Sequence, residues 1–175
     1  MEINQIKNRM KIDTTQITNW RIATKTKGLR AKPLVSLLVD RTVLNKFLVD
    51  TLEGKEPLGD GAVICIGESN DAWQQMPKKL LQKYEVKSID ADGWMVCEPR
   101  PDNAVHCIEV TPVMFGAEIG DINFYIIGHW GGVVNGEKNA QLGEFGDYIC
   151  QNPTDPTDVW VVRRKIFTNT YSIKD

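Results

Sequence analysis

From Glu85 onward the chain is broken into short runs that alternate with turn-forming clusters. VKSI, GWMVCE, AVHCIEVT, INFYIIGHW, DYIC and VWVVRR are rich in β-branched or aromatic residues. Between them stand DADG, PRPDN, NGEK and PTDPTD, built from the Gly, Pro, Asn and Asp that turns demand. This pattern predicts an antiparallel sheet over the C-terminal half, with two short helices earlier in the chain. Segregated helices and strands point to the α+β class rather than alternating α/β. Six such strands can curl into a small, partly open barrel or a half-open sandwich.

The upstream half reads differently. Residues 1–33 are polar and basic, with Trp20 as their one aromatic residue, and predict extended or loosely ordered chain with one short strand. Residues 34–175 then form a single domain. In VDRTVLNKFLVDTLEG, Asp40 is a cap for a helix on which Val43, Leu44, Phe47, Leu48 and Leu52 recur at helical spacing, and Gly54 ends it. The preceding PLVSLLV suits a strand or an extension of that helix. GAVICIG, bounded by glycines, predicts a buried strand. Pro77 then opens a short helix, where its missing N–H is no loss, with Leu80, Leu81 and Tyr84 facing inward.

Composition sets outer limits. A chain of 175 residues is long enough for one domain with a real core, and 42% apolar residues exclude wholesale disorder. No apolar run approaches the roughly 20 residues of a membrane span. The N-terminus lacks the apolar stretch of a secretion signal, so a cytoplasmic location and no membrane partner are expected. Cys65, Cys97, Cys107 and Cys150 form no CxxC pair, and the first three lie in apolar runs, as small buried hydrophobes do. The net charge of −2 hides a split. Residues 1–46 hold ten Lys/Arg against three Asp/Glu, and the remainder holds 11 against 20. Such asymmetry points to a polyanionic partner, or to a basic part that docks on the acidic part of the same or a second copy.

Few residues signal chemistry. DADGW opens like a calcium loop, but its twelfth position is Pro101 instead of a bidentate Glu, so a tight turn is expected. His106 alternates with Ile108 and Val110 and reads as a hydrogen-bonded core residue, with Cys107 on the opposite face. His129 and Trp130 stand among glycines, which mark a bulge or the close approach of a ligand or another backbone. An imidazole beside an indole could hold a small planar molecule, and the plainer reading is a bulged hairpin whose Trp fills the core. Glu68 and Asp71 follow a buried strand, where α/β enzymes often place function. Arg163 and Arg164 follow VWVV and, by strand alternation, diverge at a solvated strand end. No nucleotide-binding, nucleophile-elbow or zinc motif occurs, so no catalytic residue, metal or cofactor is implied.

The closing stretch, residues 143–171, carries a resemblance. Gly146, Asp147, Tyr148 and Ile149, followed by Val161, Val162, Phe167, Thr170 and Tyr171, resemble the C-terminal signature of small bacteriophage and prophage accessory proteins. Those proteins end in a pattern close to PGDYIV…VxxDxFxxTY. This chain has Phe145 where they usually have Pro, and a longer turn, QNPTDPTD, between the halves. The resemblance implies a phage-accessory setting and brings no catalytic residue with it. The residues themselves read as a closing β unit, with Phe167 and Tyr171 four apart on a last helical turn against the sheet.

Three functions follow. The first is a non-catalytic binding module that docks on a host or phage macromolecule, its protein partner, as an inhibitor of a host enzyme would. The second is nucleic-acid binding through Lys7, Arg9, Lys11, Arg21, Lys25, Lys27, Arg30 and Lys32, with Trp20 to stack on a base. The third is a small-ligand barrel or enzyme using His129, Trp130, Glu68 and Asp71. A homodimer with exchanged N-terminal arms satisfies the charge asymmetry equally well.

Overall fold

The computed structural model describes residues 9–33, 48–51, 54–57, 59, 61–116 and 123–175. In chain order the elements are β1 (Arg9–Lys11), β2 (Arg21–Lys25), β3 (Leu29–Pro33), β4 (Leu48–Thr51), β5 (Gly54–Pro57), β6 (Val63–Gly67), β7 (Ala72–Gln75), α1 (Pro77–Lys83), β8 (Tyr84–Ile89), β9 (Met95–Pro99), β10 (Ala104–Glu109), β11 (Asn123–Val134), β12 (Glu137–Glu144), β13 (Tyr148–Asn152), β14 (Asp155–Val162), α2 (Arg164–Thr170) and β15 (Tyr171–Ile173). The α+β class holds in its coarse form: mostly antiparallel sheets with two short helices. Sheets run through the whole chain, α2 lies near its end, and no closed barrel forms among the described residues. No helix among them is long and apolar enough to cross a membrane.

The contacts gather the chain into two units, one of residues up to 24 with 104–175, the other of residues 25–103. The division falls at neither side of residue 33. In its described part the basic segment contributes three strands, because alternate residues find apolar partners: Ala23 on β2, and Leu29 and Ala31 on β3, are buried.

In the first unit, a five-stranded sheet runs in the order β14-β13-β10-β2-β15, and a three-stranded one in the order β1-β11-β12. Period-2 alternation gives the larger sheet two apolar faces. Ile108, Ile149, Val159 and Val161 meet Phe124 and Ile126 of β11 on one face. Val105, Cys107, Tyr148 and Cys150 lie on the other with Phe167 of α2. Phe167 is stacked between Tyr148, at 3.8 Å between ring centroids, and Tyr171, at 4.8 Å. The aromatic closure expected at the end of the chain is thus present, but Tyr171 begins β15 and is not on the helix. β12 has no β-branched residue and owes its place to the turn before it. Asn135 and Gly136 take φ of 50° and 80°, the left-handed pair that folds a two-residue hairpin.

In the second unit the sheet order is β7-β6-β3-β9-β8, over a core of Leu29, Ala31, Val63, Cys65, Leu80 and Tyr84 among others. Pro77 does open α1, and Leu80 and Tyr84 face inward, but Leu81 is 50% exposed. Leu80 is the buried residue of α1 and Tyr84, in extended conformation, begins β8, which leaves Leu81 on the outer side of the helix. Residues 48–51 do not continue a helix: Leu48–Thr51 pairs antiparallel with Gly54–Pro57. The remainder of that expected helix, residues 40–47 and 52–53, lies outside the described residues, as do residues 34–39 of PLVSLLV, whose Pro33 ends β3.

Candidate functional site

His129 and Trp130 sit on β11, where the register with β12 shifts between Ile127 and Gly132. The glycines there admit close approach, and what approaches is the protein's own backbone. A Cβ on Gly128 would stand 2.4 Å from the Val159 carbonyl oxygen, and one on Gly131 2.4 Å from that of Ala140. Beneath the bulge lies Gln141, with no exposed surface. Its Nε2 donates to the Trp130 carbonyl at 3.1 Å, and its Oε1 accepts from Val161 N–H at 3.0 Å. β14 is an edge strand of its sheet, so this amide takes the place of a neighbouring strand.

The imidazole is likewise engaged. His129 Nε2 lies 2.8 Å from Thr157 Oγ1, and the Thr157 hydroxyl donates to Asp155 Oδ1 at 2.6 Å. The hydroxyl proton is therefore spent, and His129 must donate through Nε2–H. Nδ1 faces Asp158 Oδ1 at 3.7 Å, and Asp158 is 1% exposed. Asn152 Nδ2 donates to the other oxygen of that carboxylate at 3.3 Å. Trp130 is half-buried and stacked on Trp160, 6.5 Å between centroids. Chemically this corner fixes the bulge to the start of β14; an Nε2 that donates is not placed to take a proton from a substrate.

Glu68 and Asp71 belong to the other unit. They flank the turn of the antiparallel hairpin β6–β7, so the strand–turn–helix setting that singled them out is absent. Gly67 N–H donates to the Asp71 carbonyl at 2.9 Å, and Asn70 takes φ of 61°. DADGW is a tight turn as expected, with Asp90 Oδ1 accepting from Asp92 and Trp94 N–H. His106 is hydrogen-bonded, its Nδ1 3.0 Å from Gln151 Oε1.

The basic residues divide between the units. Arg9, Lys11, Trp20 and Arg21 fall in the first; Lys25, Lys27, Arg30 and Lys32 fall in the second; Lys7 lies outside the described residues. Trp20 packs on the core and stacks with His106 at 6.2 Å. Lys11 is paired with Glu137, which also accepts from Tyr125 Oη at 2.8 Å. Those two partners hold the Glu137 carboxyl below its usual range. Burial lowers the pKa of Arg9, with the Arg163 charge adding to the effect. Arg21 lies 3.8 Å from Asp175, an exposed ion pair of little weight.

The side chains of Arg163 and Arg164 part, as expected. Arg163 Nη1 donates to Oδ2 of buried Asp147 at 2.9 Å, while Arg164 Nη1 lies 3.5 Å from Glu109 Oε1. Only the backbone N–H of Arg164 reaches Asp147, at Oδ1, 2.8 Å. α2 starts at Arg164, so strand alternation no longer governs that residue.

An open cleft of about 490 Å³ lies in the first unit, with Met10, Ile12, Ile17, Met114 and Phe115 in its lining. One wall follows β1 into a single 3-10 turn, Thr14–Gln16, capped by Asp13, whose carboxylate accepts from Thr15 N–H and Oγ1. Those bonds, the hydroxyl's foremost, hold the Asp13 carboxyl below its usual range. The other wall is the 3-10 turn Val113–Phe115, closed by Gly116 at φ 63°. Val113 beside it is 91% exposed and Met114 43%. The sequence reading missed this site. Its signal was an apolar VMF, between Pro112 and Gly116, in a connection between strands. Among the described residues, no group of three or more His, Cys, Asp or Glu is placed to hold a metal ion.

Comparison of the chain with family models, with curated proteins and with solved structures returned no match.

Proposed function

We propose that the chain is a non-catalytic binding module that docks on a protein partner, host or phage, through the cleft beside Val113–Phe115. The carrying observation is an open cleft, lined by apolar and polar residues in equal measure, next to a valine that is 91% exposed. Exposed apolar side chains at an open concavity are the kind of surface a partner covers. A lining that mixes Met10, Ile12, Ile17, Met114 and Phe115 with Lys11, Asp13, Gln16, Thr18 and Asn19 suits a protein surface. The phage-accessory setting rests on the closing signature alone.

The test compares pull-downs from nuclease-treated bacterial lysate by the full chain and by a Val113→Asp/Met114→Lys variant. A partner retained by the first and lost by the second, at unchanged Tm, is the expected result. Equal capture by both removes the cleft from the interface. Truncation at residue 33 is not a usable control, because β2 and β3 are inner strands of their sheets.

A second reading, single-stranded nucleic-acid binding, is favoured by one observation. Arg30 and Lys32 point outward from β3, and both reach the same Trp94 ring, Arg30 Cζ at 5.6 Å and Lys32 Nζ at 5.7 Å. An indole with two cations is the elementary unit of a stacking platform. It ranks second because Lys32 Nζ already donates to the Asp92 carbonyl at 2.7 Å and the chain is net acidic. On this reading an oligothymidine quenches Trp fluorescence, and Arg30→Ala/Lys32→Ala lowers the salt slope by about 1.4, roughly 0.7 per lost contact. Absence of quenching at low salt ends it.

A further inference from the structure

Cys107 and Cys150 stand directly opposite each other on the paired strands β10 and β13. Both are fully buried, and all four cysteines are reduced. Opposed residues in an antiparallel pair alternate between hydrogen-bonded and non-hydrogen-bonded sites, and side chains come closer at the latter. Two separate bonds fix the phase here. Val110 N–H donates to the Asp147 carbonyl at 2.9 Å, so Val110–Asp147 is a bonded pair. Counting back along the register, Glu109–Tyr148 is not bonded, Ile108–Ile149 is, and Cys107–Cys150 is not. On the other side of β10, Lys25 N–H donates to the Asn103 carbonyl at 3.4 Å. That phase makes Arg21–Cys107 a bonded pair, so the Cys107 backbone groups point to β2 and away from Cys150.

A non-hydrogen-bonded pair brings Cα atoms to about 4.5 Å, inside the window of about 4.4–6.8 Å that a disulfide spans. We infer that Cys107 and Cys150 are a redox-responsive pair that closes into a cross-strand disulfide under a small two-electron oxidant such as hydrogen peroxide. In the first step one thiolate attacks peroxide, giving a sulfenic acid and hydroxide. In the second the partner thiol displaces water from the sulfenic sulfur, so two thiols and one peroxide yield one disulfide and two waters. A small oxidant suits a site with no exposed surface. Burial also pushes the Cys107 thiol up to about 11, which makes the reaction slow and dependent on opening. In a reducing compartment such pairs act as transient redox sensors.

Cys65 and Cys97 provide an internal control. They flank β3 from opposite sides, Cys65 opposite Ala31 and Cys97 opposite Leu29. Two strand spacings separate them, roughly 10 Å, beyond the reach of a disulfide.

The experiment treats the full folded chain with hydrogen peroxide, then denatures, alkylates and maps peptides by mass spectrometry. Expected is a Cys107–Cys150 cross-linked peptide, lighter than the two reduced peptides by two hydrogens. Cys65 and Cys97 are expected not to link to each other, and reducing the linked protein restores alkylation at Cys107 and Cys150. The linked protein is expected to melt at higher temperature than the reduced one, since the bond closes a long loop. Cys107→Ser and Cys150→Ser each abolish the link. Sulfinic acid without cross-link, a link formed only in denaturant, or equal linking of Cys65 to Cys97 overturns the inference.

Discussion

Replacing Gln141 with leucine is expected to destabilise the protein by about 3 kcal/mol, for one leftover donor and one leftover acceptor in a dry site. At 2–4 °C per kcal/mol for a chain of this size, Tm falls by roughly 6–12 °C. The amide is fully buried and joins three segments: it donates to the Trp130 carbonyl at 3.1 Å, accepts from Val161 N–H at 3.0 Å and approaches the Val159 carbonyl at 3.5 Å. Leucine has similar bulk, so the loss reads the hydrogen bonds more than a cavity. Gln141→Glu separates the two roles of the amide. Its oxygen still accepts from Val161, but an ionised carboxylate cannot donate to Trp130 and buries a charge. Burial raises the folded-state pKa of that glutamate above its unfolded value of about 4.3. The variant is therefore closest to wild type below the unfolded pKa and loses stability as pH rises through the folded one. Thermal melts of the three proteins between pH 4 and 8 measure this. A Leu variant within a degree of wild type would show that Gln141 is a passenger, and a pH-independent Glu variant would show that its site is wet.

The same residue shows where sequence stops being legible. Each of the six runs predicted from Glu85 onward holds a strand, as does GAVICIG, because β-branched and aromatic residues between turn clusters act locally, although VWVVRR leaves its strand at Val162. β12 escaped, since EKNAQLGE has no such residue; the Asn135–Gly136 pair before it carried the signal. Leu48–Thr51 was mistaken for helix because a few apolar residues fit either period in a short window. Glycines around His129 correctly announced a close approach, but whether a ligand or a backbone approaches depends on Val159 and Ala140, placed there only by the fold. The cleft was out of reach for the same reason. Its walls, near Met10–Asn19 and Met114–Phe115, are far apart in the chain and become neighbours only when β1 pairs with β11.

The closing GDY…VVRR stretch is architecture, and Asp147→Ala is its test. Asp147 is 6% exposed and accepts three hydrogen bonds: from Glu144 N–H at 2.9 Å, Arg163 Nη1 at 2.9 Å and Arg164 N–H at 2.8 Å. Arg164 is the first residue of α2, and Arg163, at its N-cap, makes no side-chain cap bond. The carboxylate thus caps the helix from the loop before β13 and ties the two halves of the signature together. Removing it strands Arg163 beside Arg9, two cations with less to neutralise them. Breaking a buried pair costs about 3–5 kcal/mol, and partial exposure of Arg163 puts this one near the lower end. Asp147→Asn keeps an acceptor for Arg164 N–H but loses the charge, and is expected to recover roughly half of the loss. If the carboxylate acts as cap and ion partner together, Arg163→Met in the Asp147→Ala background adds less than it does alone. Urea melts of the wild type and these four variants measure it. Full additivity would separate Arg163 from the cap, and an Asp147→Ala variant as stable as wild type would leave α2 held by the Tyr148–Phe167–Tyr171 stack alone.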